Sequence, residues 1–386
     1  MKAAVPYWRL SGFYFFYFST LGIFLPYWGL YLESESFSSE EIGELSALMM
    51  ATKIIAPNLW GWIADRTGKS LRIIRISSFF AMLLFAGFLF KSGYVWFALI
   101  TVGFSFFWNA ALPQFEATTL FHLRENSHRY SRIRLWGSMG FISAVLVIGK
   151  MLDLLDIGIL PLIICALLAM IWLIAIITPE IKIHHHGAVA VGMLDIIRKP
   201  EVIAFFAVYM LLQIAHGPYY VFFSINLNHH GYTSLTTGLL WALGVSAEVI
   251  LFVFMGRLLK RYSLRNILLV SVFLSIVRWL LIAWQVQQLP LLLFAQLLHA
   301  ATFGSSHVVA IHLVHRYFNS HHQGKGQALY SSLSFGLGGM LGSLYSGYFW
   351  IPLGPKMVYT IAAFCSFLAL IITAIWVGKE KNIYLA

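Results

Sequence analysis

The chain alternates long apolar runs with short polar turns. A bilayer core is crossed by roughly 20 apolar residues in helical form. Runs of that kind fall near 7–32, 41–64, 72–91, 95–120, 135–155 and 158–178, and again near 201–227, 234–257, 266–286, 290–314, 326–350 and 355–378. The pattern predicts an all-α membrane protein with twelve transmembrane helices and short connectors. One longer polar stretch, 179–200, interrupts the series and carries His184, His185 and His186. The predicted organisation is therefore a six-helix bundle over 1–178, a cytoplasmic linker over 179–200 and a second six-helix bundle over 201–386.

The polar turns repeat. Gly61 to Ser70 read GWIADRTGKS, and Gly256 to Arg265, an offset of 195 residues, read GRLLKRYSLR. Pro26-Tyr27 in the first span matches Pro218-Tyr219 in the seventh, and Gly43 matches Gly238 at the starts of the second and eighth. Coincidences in register with the predicted spans point to two copies of one half. Secondary transporters are built this way, with the substrate site near mid-membrane where the halves meet. Pro26, Pro57, Pro113 and Pro218 lie inside spans and should bend or break them, as is tolerated beside cavities. The eleventh span holds Gly336, Gly338, Gly339, Gly342 and Gly347, and the fifth Gly137, Gly140 and Gly149, which allow close helix contact in lipid.

Composition agrees with lipid as the solvent: 60% of 386 residues are apolar, 11% are charged, and the mean hydropathy is +0.79. The net charge of +11 could suggest nucleic acid, but its placement excludes that partner. All basic residues except Lys53, Lys91, Lys150, Arg278 and Lys356 fall at one set of alternate loops and the termini, while the first opposite loop carries Glu33, Glu35, Glu40 and Glu41. The positive-inside rule then puts both termini in the cytoplasm of a multi-pass protein. Lys91 and Lys150, near helix ends, are expected to snorkel to the interface. The N-terminal run exceeds a signal-peptide core and lacks an A-x-A cleavage site, so it reads as a retained helix. Cys165 and Cys365 lie inside spans, which argues against disulfides. No H-E-x-x-H, G-x-S-x-G or nucleotide-cradling G-K-S/T loop is present, so neither an enzyme nor a cofactor is expected. The triple histidine lacks further ligands at metal spacing, so no metal site is expected either.

Charges inside the spans carry the functional signal, because each costs about 2.5–3.5 kcal/mol at mid-bilayer unless paired or wet. Lys53, Glu116, Glu248 and Arg278 are of this kind, joined by His216, His299 and His307. Helical spacing groups Tyr209, Gln213, His216 and Tyr220 on one face, and Gln296, His299 and His307 on another. Trp241, Glu248 and Met255 repeat at seven, as do Asn109 and Glu116. The candidate substrate lining is thus Lys53, Asn109, His216, Tyr220, Trp241, Arg278, Gln296, His299 and His307. Purely structural roles stand beside these: Glu116 with Arg134 or Glu248 with Arg278 as static pairs, and His216 or His307 bonded to a neighbouring carbonyl.

The turn GWIADRTGKS is similar to the helix 2–3 signature of the major facilitator superfamily, departing from it only at Ser70. Over nearly its whole length the chain further resembles the bacterial phenylpropionate permeases, a branch related to lactose permease. GIFLPYW at Gly22, RIRLWGSMGF at Arg132, LLWALGVSAEVILF at Leu239, IVRW at Ile276 and QLLHAATF at Gln296 carry that resemblance. It implies a gating role for Gly61, Asp65, Arg66 and Gly68; the second copy has Lys260 at the place of the aspartate. It also implies a proton-coupling set of Glu116, Arg134, Glu248, Arg278 and His299. Lactose permease carries its proton on a glutamate one turn after the histidine, where this chain has Thr302, which leaves Glu248 and His299 as carriers. The expected function is proton-coupled uptake of a small aromatic monocarboxylate such as 3-phenylpropionate by alternating access. The carboxylate would meet Lys53 or Arg278, and the ring Tyr27, Tyr220 or Trp241. The alternative is a proton symporter for a sugar or nucleoside. The expected setting is a monomer in the bacterial inner membrane, with protons and lipid as its other partners.

Overall fold

A computed structural model describes residues 5–90, 92–123, 126, 129–180, 193–318 and 322–378. Lys91, Arg124 and the triple histidine of the expected linker lie outside these residues. The described chain is helical throughout: α1 Tyr7–Ser34, α2 Ser39–Thr67, α3 Ser70–Phe85, α4 Gly93–Leu123, α5 Tyr130–Leu152 and α6 Leu160–Ile177. There follow a short α7 Met193–Ile197, then α8 Pro200–His229, α9 Ser234–Arg261, α10 Leu264–Trp284, α11 Leu289–His299 and α12 Ser306–Tyr317. Helices α13 Gln323–Ser331, α14 Gly339–Trp350 and α15 Gly354–Trp376 complete the chain. Among the described residues, ten helices are long and apolar enough to cross a membrane, α11 to α12 counting as one. Helix α2 has 29 residues, about 43 Å at 1.5 Å per residue. It is long enough to span but too polar to be counted with the ten.

The proline expectation is corrected in one respect. Helices α1, α2, α4 and α8 run without a break through Pro26, Pro57, Pro113 and Pro218. The irregular turns lie elsewhere, in π-helical segments Ala300–Ser305 between α11 and α12 and Ser332–Gly338 between α13 and α14. Such wide turns are uncommon and favour functional sites.

The repeated turns are built from different local chemistry at equivalent places. After α2, Gly68 takes a left-handed φ of 62° and its N–H bonds to Ala64 O, a conformation that glycine adopts without a Cβ penalty. After α9, the matching residue Ser263 instead caps α10, its hydroxyl accepting from Asn266 N at 3.2 Å.

The chain divides into two compact units. One holds α1 to α6 together with 220–242 and 343–348; the other holds 188–219, 243–342 and 349–386, of which 188–192, 319–321 and 379–386 are not described. The first is cemented by aromatic pairs between α1 and α4, including Tyr17 stacked on Trp108 at 4.2 Å between centroids. At the end that carries the 35–38 turn, several polar contacts gather. The Tyr27 hydroxyl lies 2.7 Å from Val145 O and 3.2 Å from Ser234 O, and Asp153 Oδ1 accepts from Ser234 N at 2.8 Å. Glu44 accepts from the hydroxyls of Tyr94 and Tyr348, and His229 Nε2 lies 2.9 Å from Glu33. Helices α2 and α14 approach so closely there that a Cβ on Gly43 would stand 2.7 Å from Gly347 Cα. The core of the second unit joins α8, α10, α12, α13 and α15 through Phe205, Tyr209, Val272, Leu313, Tyr330 and Ala369.

Candidate functional site

The first unit holds Lys53 and Asn109. Lys53 is half-buried in α2 and has no carboxylate or hydrogen-bond partner among the described residues. An ammonium in that setting is a ready donor for an anion. Beside it, Thr52 links α2 to α4: the Asn109 side-chain nitrogen donates to Thr52 Oγ1 at 2.9 Å, and Thr52 Oγ1 lies 3.0 Å from Ser105 Oγ. Asn109 is thus bonded to the residue that precedes Lys53 in the chain.

Deeper in α4, Glu116 pairs with Arg134 of α5 at 3.6 Å. The Arg134 guanidinium also lies over the Phe18 ring at 4.1 Å and the Tyr14 ring at 5.3 Å, so both a carboxylate and π-faces hold it. Tyr220 and Trp241 stack at 6.5 Å, with the Trp241 indole N–H donating to Ser224 Oγ at 3.2 Å. At the α2–α3 turn Asp65 and Arg66 are exposed, and the Arg66 guanidinium covers the Trp62 ring at 4.2 Å. A methyl added at Gly61 would meet nothing nearer than Gln114 Nε2 at 3.9 Å.

In the second unit Arg278 is fully buried. Its Nε donates to Ala295 O at 3.1 Å and one terminal nitrogen to Thr302 Oγ1 at 3.3 Å. Its guanidinium carbon lies 4.3 Å from the Tyr219 ring centre and 4.7 Å from that of Trp279. Tyr219 in turn donates its hydroxyl to Gln296 Oε1 at 2.9 Å and stacks on the His299 ring at 6.0 Å. His299 Nε2 faces Glu248 Oε2 at 3.5 Å, with both side chains largely buried. A Cβ on Gly304 would approach Glu248 Cγ to 3.0 Å, so the small residue in the π-helical segment makes room for the carboxylate. A carboxylate beside an imidazole in a shielded place can take up and pass on one proton.

His216 bonds through Nδ1 to Leu212 O at 2.7 Å, one turn back on its own helix, and sits edge-on to Trp279. That is the structural role expected as its alternative. His307 lies 3.2 Å from the Tyr330 hydroxyl. The rings of His299, Phe303 and His307 form a parallel ladder, at 5.4 and 6.1 Å with interplanar angles of 4°. The ladder runs across the π-helical segment Ala300–Ser305. Sequence reasoning named Tyr220 on α8 where the structure puts Tyr219 against Arg278, although the Pro-Tyr repeat had already marked Tyr219. Thr52 and Ser105 carried no signal beyond being polar inside a span.

Comparison with known proteins places the chain in a family. The family model described as "MFS_1 like family" matches residues 7–374. A protein of Escherichia coli (strain K12) described as "Probable 3-phenylpropionic acid transporter" is 30% identical over 369 residues, covering 92% of this chain and 94% of its own length. The maltose permease of Geobacillus stearothermophilus is 26% identical, covering 96% and 94% respectively. Among solved structures, the nucleoside transporter NupG superposes with a TM-score of 0.82 at 18% identity, over 95% of this chain and 98% of that one, a likeness of fold.

Proposed function

Because the chain belongs to the MFS_1 like family of the major facilitator superfamily, on the phenylpropionate permease branch, we propose that this multi-pass transporter is a twelve-span proton symporter for a small aromatic monocarboxylate. It works by alternating access in a bacterial inner membrane, as a monomer with both termini in the cytoplasm. Its halves are 1–178 and 201–386, joined by the 179–200 linker. The observation that carries the anionic substrate is Lys53, a half-buried cation in a spanning helix with no partner among the described residues. A buried ammonium is costly alone and is stabilised by a carboxylate. The substrate carboxylate therefore binds Lys53, with Asn109 next to it; Tyr220 and Trp241 offer ring faces for an aromatic group.

Arg278 plays a different part. Its hydrogen bonds and the two aromatic rings hold it in place, so it acts as a fixed positive charge near Gln296 and His299. Glu248 and His299 share the coupling proton. Glu116 and Arg134 form the corresponding pair of the first half, while His216 and His307 shape the wall. Asp65 and Arg66, with Gly61 and Gly68, gate the α2–α3 turn. The E. coli relative's 3-phenylpropionic acid supplies the substrate to try first.

A sugar or nucleoside symporter is the second reading, and the 26% identical maltose permease favours it. One assay separates the two. Purified protein in liposomes should take up labelled 3-phenylpropionate saturably, faster with an acidic exterior, and should show counterflow. Failure to take it up, with uptake of maltose or uridine instead, would replace the first reading by the second. Uptake that neither saturates nor shows counterflow would contradict a carrier altogether.

A further inference from the structure

Two prolines fall four residues after two site residues. Pro57 has no N–H to give to the carbonyl of Lys53, and Pro113 none to give to the carbonyl of Asn109. Helices α2 and α4 nevertheless continue through both prolines. Each ladder thus lacks one rung, at the residue whose side chain the site uses. A turn that lacks its own hydrogen bond needs support from outside the helix, or its side chain is poorly aimed.

The side-chain bonds between α2 and α4 fall at this level. Asn109 donates to Thr52 Oγ1 at 2.9 Å, Thr52 in turn lies 2.8 Å from Met49 O, and Ser105 Oγ is 3.0 Å from Thr52 Oγ1. Thr52, Ser105 and Asn109 are all buried, so water does not compete strongly for these bonds. Thr52 immediately precedes Lys53. The chain Asn109–Thr52 therefore ties the proline-weakened turn of α2 to the proline-weakened turn of α4.

We propose that Asn109 is a positioning residue which, acting through Thr52, holds the turn of α2 that aims Lys53 at the substrate carboxylate. This rests on the reading of Lys53 as the carboxylate anchor. Asn109 here does not bind substrate itself, so removing it should matter only while Lys53 is present. A residue that met the substrate away from Lys53 would behave otherwise, because its loss adds independently to the loss of Lys53.

The test is counterflow of labelled 3-phenylpropionate in proteoliposomes, measured as KM and maximal rate for Asn109→Ala, Thr52→Val, Thr52→Ser and Lys53→Gln, singly and in pairs. Asn109→Ala and Thr52→Val should each raise KM about tenfold, the scale of one buried hydrogen bond to a site, with maximal rate changed by less than about twofold. The Asn109→Ala/Thr52→Val pair should be no worse than either alone, and Thr52→Ser, which keeps the hydroxyl, should restore most of the affinity. In a Lys53→Gln background Asn109→Ala should change KM no further. Multiplying effects for the Asn109–Thr52 pair, or an undiminished effect of Asn109→Ala without Lys53, would overturn the proposal. An unchanged KM in Lys53→Gln alone would instead overturn the anchor reading beneath it. Should Asn109→Ala fail to fold, the contrast of Thr52→Val with Thr52→Ser decides: equal KM values for the two sink the proposal.

Discussion

Among the described residues, two cations within helices, Lys53 in one compact unit and Arg278 in the other, are treated in opposite ways. Arg278 sits at 0% exposure among a carbonyl, a threonine hydroxyl and two aromatic rings. Lys53 is half-buried and has no partner among the described residues, while its neighbour Thr52 is held from another helix. The difference teaches that burial of a charge alone does not mark a ligand site. A guanidinium has five donors in a planar fork and can be built into a fold. An ammonium on a long stem, without a partner among the described residues, is left available to a carboxylate that arrives later.

The largest expected effect breaks the comparison on stability as well as transport. Arg278→Ala leaves Ala295 O and Thr302 without their donor and opens space between Tyr219 and Trp279. It should cost roughly 3 kcal/mol, lower the unfolding temperature in detergent by several degrees and abolish uptake. An unfolding temperature equal to wild type would refute the built-in role. Lys53→Gln should raise KM for 3-phenylpropionate by roughly tenfold to a hundredfold, the scale of a charge-assisted contact, yet leave the unfolding temperature unchanged. A stability loss as large as that of Arg278→Ala would make the two cations alike after all.

Smaller effects sharpen the picture around them. Glu248→Gln should remove stimulation by an acidic exterior while counterflow continues, because exchange of loaded carriers needs no net proton release. Uptake that still follows the pH gradient in this variant would move the proton elsewhere. At the α2–α3 turn, Gly68→Ala should cost about 1 kcal/mol for its left-handed φ. Gly61→Ala, with open space around it, should stay within about 0.5 kcal/mol; thermal unfolding of both variants checks the order.

The helices were readable because lipid enforces a simple rule. The apolar run near 7–32 became α1 at Tyr7–Ser34, and that near 234–257 became α9 at Ser234–Arg261. The extra residues end in polar side chains, Glu33 and Ser34 on α1 and Lys260 and Arg261 on α9, where a helix can still close its hydrogen bonds. The π-helical turns were hidden, since an added residue per turn leaves no mark in composition. Counting 100° per residue still puts His299 and His307 on one face, and the ladder through Phe303 holds them together across Ala300–Ser305. Tyr219 is absent from the candidate lining, although the Pro-Tyr repeat pairs it with Tyr27, while Tyr220 stacks on Trp241. The two tyrosines have diverged: Tyr27 contacts the carbonyls of Val145 and Ser234, whereas Tyr219 joins Arg278, Gln296 and His299. Which carbonyls a proline leaves open was legible throughout, at Lys53 and Asn109, and needed only the missing N–H to be counted.

The anchor role of Lys53 is tested most directly by comparing charged and uncharged ligands on one variant. Inhibition of counterflow by 3-phenylpropionate and by 3-phenylpropanol would be titrated for the wild type and for Lys53→Gln. The account predicts that the variant loses about tenfold or more of its affinity for the acid and keeps its affinity for the alcohol, so discrimination between them collapses. Equal retention of both, or equal loss of both, would contradict it.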